Sequence, residues 1–140
     1  MSLFLTINRF NRLYMNELTN ILSHYGLTPA NWSLLHYLQE NEFATASQLA
    51  TYWQVEKPTV SANIKSLISR KLITAVSGED KREKKLKLTT AGIDLTVNST
   101  SDVKAFQAKL LEGFVSTEQA TQMENAILQM ELMIRGIKDE

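Results

Sequence analysis

A double change of apolar period between Thr45 and Leu88 leaves this chain few folds to adopt. Thr45 is followed three residues later by Gln48, the spacing of a capping box, in which each side chain satisfies the other residue's free backbone donor. The pattern predicts a short helix over 46–52. After a brief turn at Gln54 and Val55, the residues Val60, Ile64, Leu67 and Ile68 recur at helical steps, predicting a second helix from about Lys57 to Arg70 with those four buried. The period then shortens. Ile73-Thr74-Ala75-Val76 and Leu86-Lys87-Leu88 read as strands on either side of a polar stretch from Ser77 to Lys85, although no Asn-Gly or Asp-Gly turn joins them. Two short helices across a tight turn form a helix-turn-helix, and a hairpin directly behind the second helix is a wing.

Longer helical patterns flank this centre. Leu3, Ile7, Phe10, Tyr14, Leu18, Ile21, Leu22 and Tyr25 lie on one helix face, and Gly26 ends that helix. Thr28 and Pro29 then supply an N-cap and a first helical position for a helix that carries Trp32, Leu35 and Leu38 inward. Beyond the wing, Thr89 or Thr90 caps a fifth helix from Ala91 to about Gly113, and Ser116 with Gln119 opens a sixth that runs to about Ile137. The expectation is a mainly α, winged helix-turn-helix fold of about six helices plus a β-hairpin. It forms one domain over 1–140, with a winged lobe at 28–92 and dimerisation helices at 1–26 and 91–140. Leu110, Leu111, Phe114, Ala120, Met123, Ile127, Met130, Ile134 and Ile137 make apolar stripes with no other evident partner in so short a chain. Burial between two subunits answers that need, since obligate dimer interfaces resemble a divided core. Met123, Met130 and Met133 suit such a seam as flexible gap fillers, and lining a ligand pocket is the alternative use.

Composition removes several kinds of chemistry. The chain has no cysteine, which leaves no disulfide, thiolate zinc site or thiol redox sensor. It shows no catalytic nucleophile with a base and no phosphate loop, so it reads as a non-enzyme without cofactor. His24 and His36 fall on different helices without a carboxylate at ligand spacing, and no metal site is expected. Trp32 and Trp53 read as core anchors. No membrane span or signal peptide is recognisable, which places the expected location in the cytoplasm. A net charge of zero argues at first against a nucleic-acid partner, but the average conceals segregation. Lys57, Lys65, Arg70, Lys71, Lys81, Arg82, Lys84, Lys85 and Lys87 stand against only Glu79, Asp80 and Glu83, a local surplus of six positive charges. Such a block suits phosphate, and it equally suits a solvated charged face.

On the second short helix, a turn of 100° per residue sets Pro58, Ala62, Lys65 and Ser69 opposite the buried face, with Thr59, Ser61 and Ser66 beside them. A small polar face of this kind fits a major groove, where hydroxyls and amines meet base edges or phosphates; an ordinary solvent-exposed helix has the same appearance. Behind it, Asp80-Lys81-Arg82 followed by Leu86, Leu88, Thr89, Thr90 and Gly92 resembles the wing of the MarR family of transcription regulators. The resemblance continues through Leu27-Thr28-Pro29, Trp32, Gln48-Leu49-Ala50 and Lys57-Pro58-Thr59-Val60-Ser61. It implies a bacterial homodimeric repressor on a palindromic double-stranded DNA operator, with a small aromatic effector possible. It also implies that Arg82 enters a minor groove with Asp80 holding it, whereas the plainer reading of those two is an exposed ion pair of little worth. The DNA-binding set is then Lys57, Pro58, Thr59, Ser61, Ala62, Lys65, Ser66, Asp80, Lys81, Arg82 and Lys84. Two positions depart from the family pattern. Ala62 stands where arginine is common, which shifts base readout to Ser61, Lys65 and an Ala62 methyl contact, and Lys71 stands where glycine is usual at a helix end of positive φ. A winged-helix protein-interaction module without DNA binding remains the alternative at this point, and activator cannot be separated from repressor.

Overall fold

In a computed structural model, which describes residues 2–77 and 83–139, the elements follow the order α1 (Leu3–Ser23), α2 (Pro29–Glu40), α3 (Ala46–Trp53), α4 (Lys57–Ser69), β1 (Ile73–Ser77), β2 (Lys84–Leu88), α5 (Thr90–Leu111) and α6 (Thr117–Asp139). This is the expected winged helix-turn-helix with its flanking helices. The chain divides into two compact units, one reaching to Val103 and one beginning at Lys104, so the division falls inside α5.

Side-chain caps explain where most helices begin. Thr45 Oγ1 accepts from the Gln48 amide at 3.1 Å while the Thr45 amide donates to Gln48 Oε1 at 2.9 Å. Ser116 and Gln119 repeat the exchange at the start of α6, at 2.9 and 3.1 Å. At α2 the same box forms between Thr28 and Asn31. The shorter asparagine does there what glutamine does elsewhere, which is why a search for Glu or Gln three residues on passes over it. Thr89 rather than Thr90 caps α5, taking the Gly92 amide at 3.0 Å and donating back to the carbonyl of Lys71 at 2.7 Å.

Three helices end in one kind of turn. After α1, the amides of Gly26 and Leu27 donate to the carbonyls of Ser23 and Leu22; after α3, those of Gln54 and Val55 donate to Thr51 and Ala50; after α4, those of Lys71 and Leu72 donate to Ile68 and Leu67. These are Schellman closures, which need a left-handed residue at the pivot. Glycine fills it once, at Gly26. Gln54 has φ +55° and Lys71 has φ +60°, so both hold a conformation that costs a residue with a Cβ about 1 kcal/mol. The departure noted for Lys71 is therefore real: the backbone there keeps the geometry that glycine favours.

Leucines make most of the core of the first unit. Leu18 and Leu22 of α1, Leu34, Leu35 and Leu38 of α2, Leu49 of α3, Val60 and Leu67 of α4, and Leu72, Ile73, Leu86 and Leu88 around the hairpin are all buried. The strands pair antiparallel in the register Ile73↔Leu88 to Ser77↔Lys84, and Ala44 adds an isolated bridge to Leu86. Two expectations about burial are corrected. Ile68 is 40 % exposed, because α4 packs along a line through Val60 and Leu67 and the helix turns Ile68 off it. Trp32 is half-buried rather than fully inside, since its indole N–H must reach Thr100 Oγ1, at 3.0 Å. The phenol of Tyr25 donates to Asp102, and that bond raises the Tyr25 pKa above its ordinary value. Gly92 is required for space, as a Cβ would lie 2.0 Å from the carbonyl oxygen of Leu72.

Polar bonds fix α4 against its neighbours. Asn31 Nδ2 donates to Asn63 Oδ1 at 2.7 Å, Asn63 Nδ2 donates to the Ala30 carbonyl at 2.9 Å, and Arg70 Nη1 donates to the Gly26 carbonyl at 2.8 Å. In the second unit, α6 presents Met123, Ile127, Leu132, Met133, Ile134 and Ile137 outward, and Phe114 in the preceding turn is 87 % exposed.

Two substitutions test this account by chemical denaturation at fixed protein concentration. Lys71→Gly relieves the left-handed turn and is expected to raise stability by about 0.5–1 kcal/mol; a lower midpoint would mean the turn carries no strain. Asn63→Ala strands the Asn31 amide and is expected to cost about 1–2 kcal/mol, so an unchanged midpoint would remove the asparagine pair from the forces that seat α4.

Candidate nucleic-acid interface

The outer face of α4 follows from what the helix buries. With Val60 and Leu67 inside and Asn63 turned to α2, the exposed side chains are Lys57, Pro58, Thr59, Ala62, Lys65, Ser66, Ile68 and Ser69, while Ser61 is half-buried. Apart from Ile68 in the last turn, these residues are small, polar or cationic. Nothing bulky blocks the approach of the helix to a groove.

The hairpin adds to this face from one side. Lys57, Ser61 and Lys65 of α4 line a cleft of about 590 Å³ together with Ser47 of α3 and Lys84 of β2. Lys84 belongs there because strand residues alternate: Lys84, Leu86 and Leu88 share one side of β2, of which Leu86 and Leu88 enter the core. Among the described residues no ion pair joins a lysine or arginine to a carboxylate, so Lys57, Lys65 and Lys84 keep their charge unpaired. Glu83 lines the same cleft as a single opposing carboxylate. The other side of β2 carries Lys85 and Lys87, whose ammonium groups sit 5.6 and 5.9 Å from the centre of the Phe43 ring. One ring thus holds two cations along the strand.

Of the residues named from sequence, Lys57, Ser61, Lys65 and Lys84 are brought together in the cleft, and Pro58, Ala62 and Ser66 lie on the exposed face of α4. Thr59 is not in the cleft. It lines a separate small pocket with Val55, Val60 and Asn63. Asp80, Lys81 and Arg82 lie outside the described residues. Sequence reasoning missed Ser47, which the α3 capping box could have signalled by fixing the first turn of that helix. It also missed Phe43, whose place beside the wing depends on the Ala44 bridge and has no local signature.

Comparison with known proteins agrees with this geometry. Residues 25–83 match the model of the MarR family. The HTH-type transcriptional regulator YwoH of Bacillus subtilis is 32 % identical over 108 residues, covering 77 % of this chain and 79 % of that protein. An HTH-type transcriptional regulator of Staphylococcus aureus is 30 % identical over 129 residues, covering 91 % and 86 %. Among solved structures, Staphylococcus aureus MarR in complex with salicylate and kanamycin superposes with a TM-score of 0.81 at 27 % identity, over 96 % of this chain and 91 % of that one. A Staphylococcus aureus MepR–DNA complex shares the fold, with a TM-score of 0.84 at 24 % identity and 96 % coverage of both chains. With the wing, the cleft and these relatives in agreement, the chain belongs to the MarR family of transcriptional regulators.

Proposed function

We propose that the chain is a homodimeric, sequence-specific repressor that binds a palindromic double-stranded DNA operator and answers to a small aromatic effector. The observation that carries this reading is the unpaired lysine cluster of α4 and β2 beside an exposed helix face of small polar residues. In the proposed complex α4 lies in a major groove. Ser61, Lys65 and the Ala62 methyl address base edges, and Lys57, Thr59 and Ser66 hold phosphates beside Pro58. Lys81 and Lys84 extend the phosphate contacts along the wing, and Arg82, braced by Asp80, enters the neighbouring minor groove. The reading gives the chain no catalytic role, no cofactor and a cytoplasmic place of work.

Dimer formation is proposed through the helices at 1–26 and 91–140, whose exposed apolar residues include Phe4, Phe10 and Leu13 on α1 and Met133, Ile134 and Ile137 on α6. A single helix makes few base contacts, and two copies on half-sites about one turn apart multiply them. The effector acts by favouring the arrangement that fits the operator less well, because a ligand with equal affinity for both arrangements shifts nothing. The salicylate complex of Staphylococcus aureus MarR supports an aromatic compound as the chemical class.

Fluorescence anisotropy with the duplex upstream of the chain's own gene tests the proposal. Binding is expected to weaken steeply with salt, and Lys57→Ala, which removes one phosphate contact from each subunit, should lower the log–log salt slope by about 2. Salt-insensitive binding, or none at low ionic strength, would leave the protein-interaction reading in its place. For the wing, Arg82→Ala is expected to weaken the operator complex about tenfold or more with the thermal midpoint unchanged; equal affinity would remove Arg82 from the interface.

A further inference from the structure

Directed bonds join α5 to the corner between α1 and α2. The face that α5 buries consists of Gly92, Thr96, Ser99, Thr100 and Val103, of which only Val103 is aliphatic. Thr96 and Ser99 turn their hydroxyls to carbonyls of their own helix, those of Gly92 at 2.6 Å and Leu95 at 2.7 Å. Small side chains satisfied in this way interlock weakly with what they cover. Direction comes from the next turn of the helix, where Thr100 accepts from the Trp32 indole and Asp102 accepts from the Tyr25 phenol.

Tyr25 reaches α4 through the residue that follows it. Gly26 is the left-handed pivot of the turn, with φ +66°, and its carbonyl accepts from Arg70 Nη1 at 2.8 Å. Arg70 is the C-cap of α4, and its guanidinium passes so near that a Cβ at position 26 would lie 3.3 Å from Nη2. Asp102, Tyr25, Gly26 and Arg70 thus form one path, two side-chain bonds joined by a single backbone step, and all four belong to the first unit.

This path acts on α4 as on a lever. Asn63 holds the helix at its middle, through Asn31 and the Ala30 carbonyl, with Arg70 seven residues beyond it and Lys57 six residues before it. At about 1.5 Å per residue the arms are about 10 and 9 Å long, so a shift of about 1 Å at the Arg70 end tilts the axis by about 6° and moves the Lys57 end about 1 Å the other way. The window for a hydrogen bond to a base edge is only about 0.5 Å wide. Long lysine side chains on phosphates can follow the same movement. Little folding stability is involved, since the Tyr25 ring packs against the core whatever its hydroxyl does and Asp102 is exposed. We infer that Tyr25 and Asp102 are positioning residues for sequence recognition: their bond, relayed through the Gly26 carbonyl to Arg70, fixes the tilt at which α4 meets base edges. The inference rests on the DNA reading proposed above.

Tyr25→Phe keeps the ring and removes the donor. Fluorescence anisotropy of the full-length protein is run on the duplex upstream of its own gene and on a scrambled duplex of equal length and composition. The preference for the upstream duplex should fall about fivefold, while the salt slope, the affinity for the scrambled duplex and the thermal midpoint stay as they were. Loss of folded protein or of a phosphate contact would move those three. Asp102→Ala should lose the same factor, and Asp102→Asn, which keeps an acceptor oxygen, should retain most of the preference. Tyr25→Phe combined with Asp102→Ala should be no worse than either alone, because both remove one bond. In an Arg70→Met background the path is already cut, and Tyr25→Phe should change nothing further. An undiminished preference in Tyr25→Phe, equal weakening on both duplexes, or a full further loss beside Arg70→Met would each overturn the inference and leave the DNA reading standing. A parent protein that binds neither duplex, or both alike, overturns the DNA reading itself and the positioning role with it.

Discussion

Everything on the exposed side of this molecule depends on how one thirteen-residue helix, α4, is held. Its apolar face is thin, with Val60 and Leu67 buried and Ile64 half-buried beside them, and apolar contact along so narrow a line would leave the helix free to roll. The asparagine pair removes that freedom. Asn31, already engaged in capping α2, extends its amide to Asn63, and Asn63 in turn reaches the Ala30 carbonyl. The rotation of α4 is thereby tied to the first turn of α2, and Arg70 ties its far end to the turn after α1. Hydrogen bonds contribute little net stability each, but their directionality selects one orientation among several that apolar packing would accept.

Charge segregation becomes intelligible on this frame. A neutral chain presents a cationic surface because lysines distant in sequence, Lys57 and Lys65 on a helix and Lys84 on a strand, are delivered to one cleft by the pairing of the hairpin behind the helix. Aromatic rings gather elsewhere in the same unit, where Tyr37, Tyr52 and Trp53 meet beside Glu40. Nearby like charges cost energy that only a counter-charged partner offsets, so a surface that keeps its lysines unpaired is held ready for an anion.

Much of this was legible in residue order, for reasons that differ from place to place. The helices declared themselves through period and caps because both depend on neighbours three and four residues away. The Thr45–Gln48 and Ser116–Gln119 boxes formed as spaced, and Lys71 occupied the conformation that its place in the motif demands. Ile68 broke the pattern because a helical stripe is wider than the line along which α4 meets the core. Gln54 gave no warning, since its left-handed turn is imposed by the closing of α3 and the opening of α4 and not by glutamine's own preference. Asn63 and Phe43 act through partners 32 residues away and across an isolated bridge, distances over which a single sequence carries no periodic signal.

The left-handed residues at Gln54 and Lys71 bracket α4, and Val60, Ile64, Leu67, Asn63 and Arg70 hold it between them. Pro58, Ala62, Lys65 and Ser66 contribute no side-chain hydrogen bond or ion pair among the described residues. Ala62, Lys65 and Ser66 are thus relieved of most folding duty, whereas Pro58 also helps to start the helix. A lineage of such chains can rewrite the letters on this outer face while the scaffold beneath stays untouched, so that surface chemistry and stability drift independently.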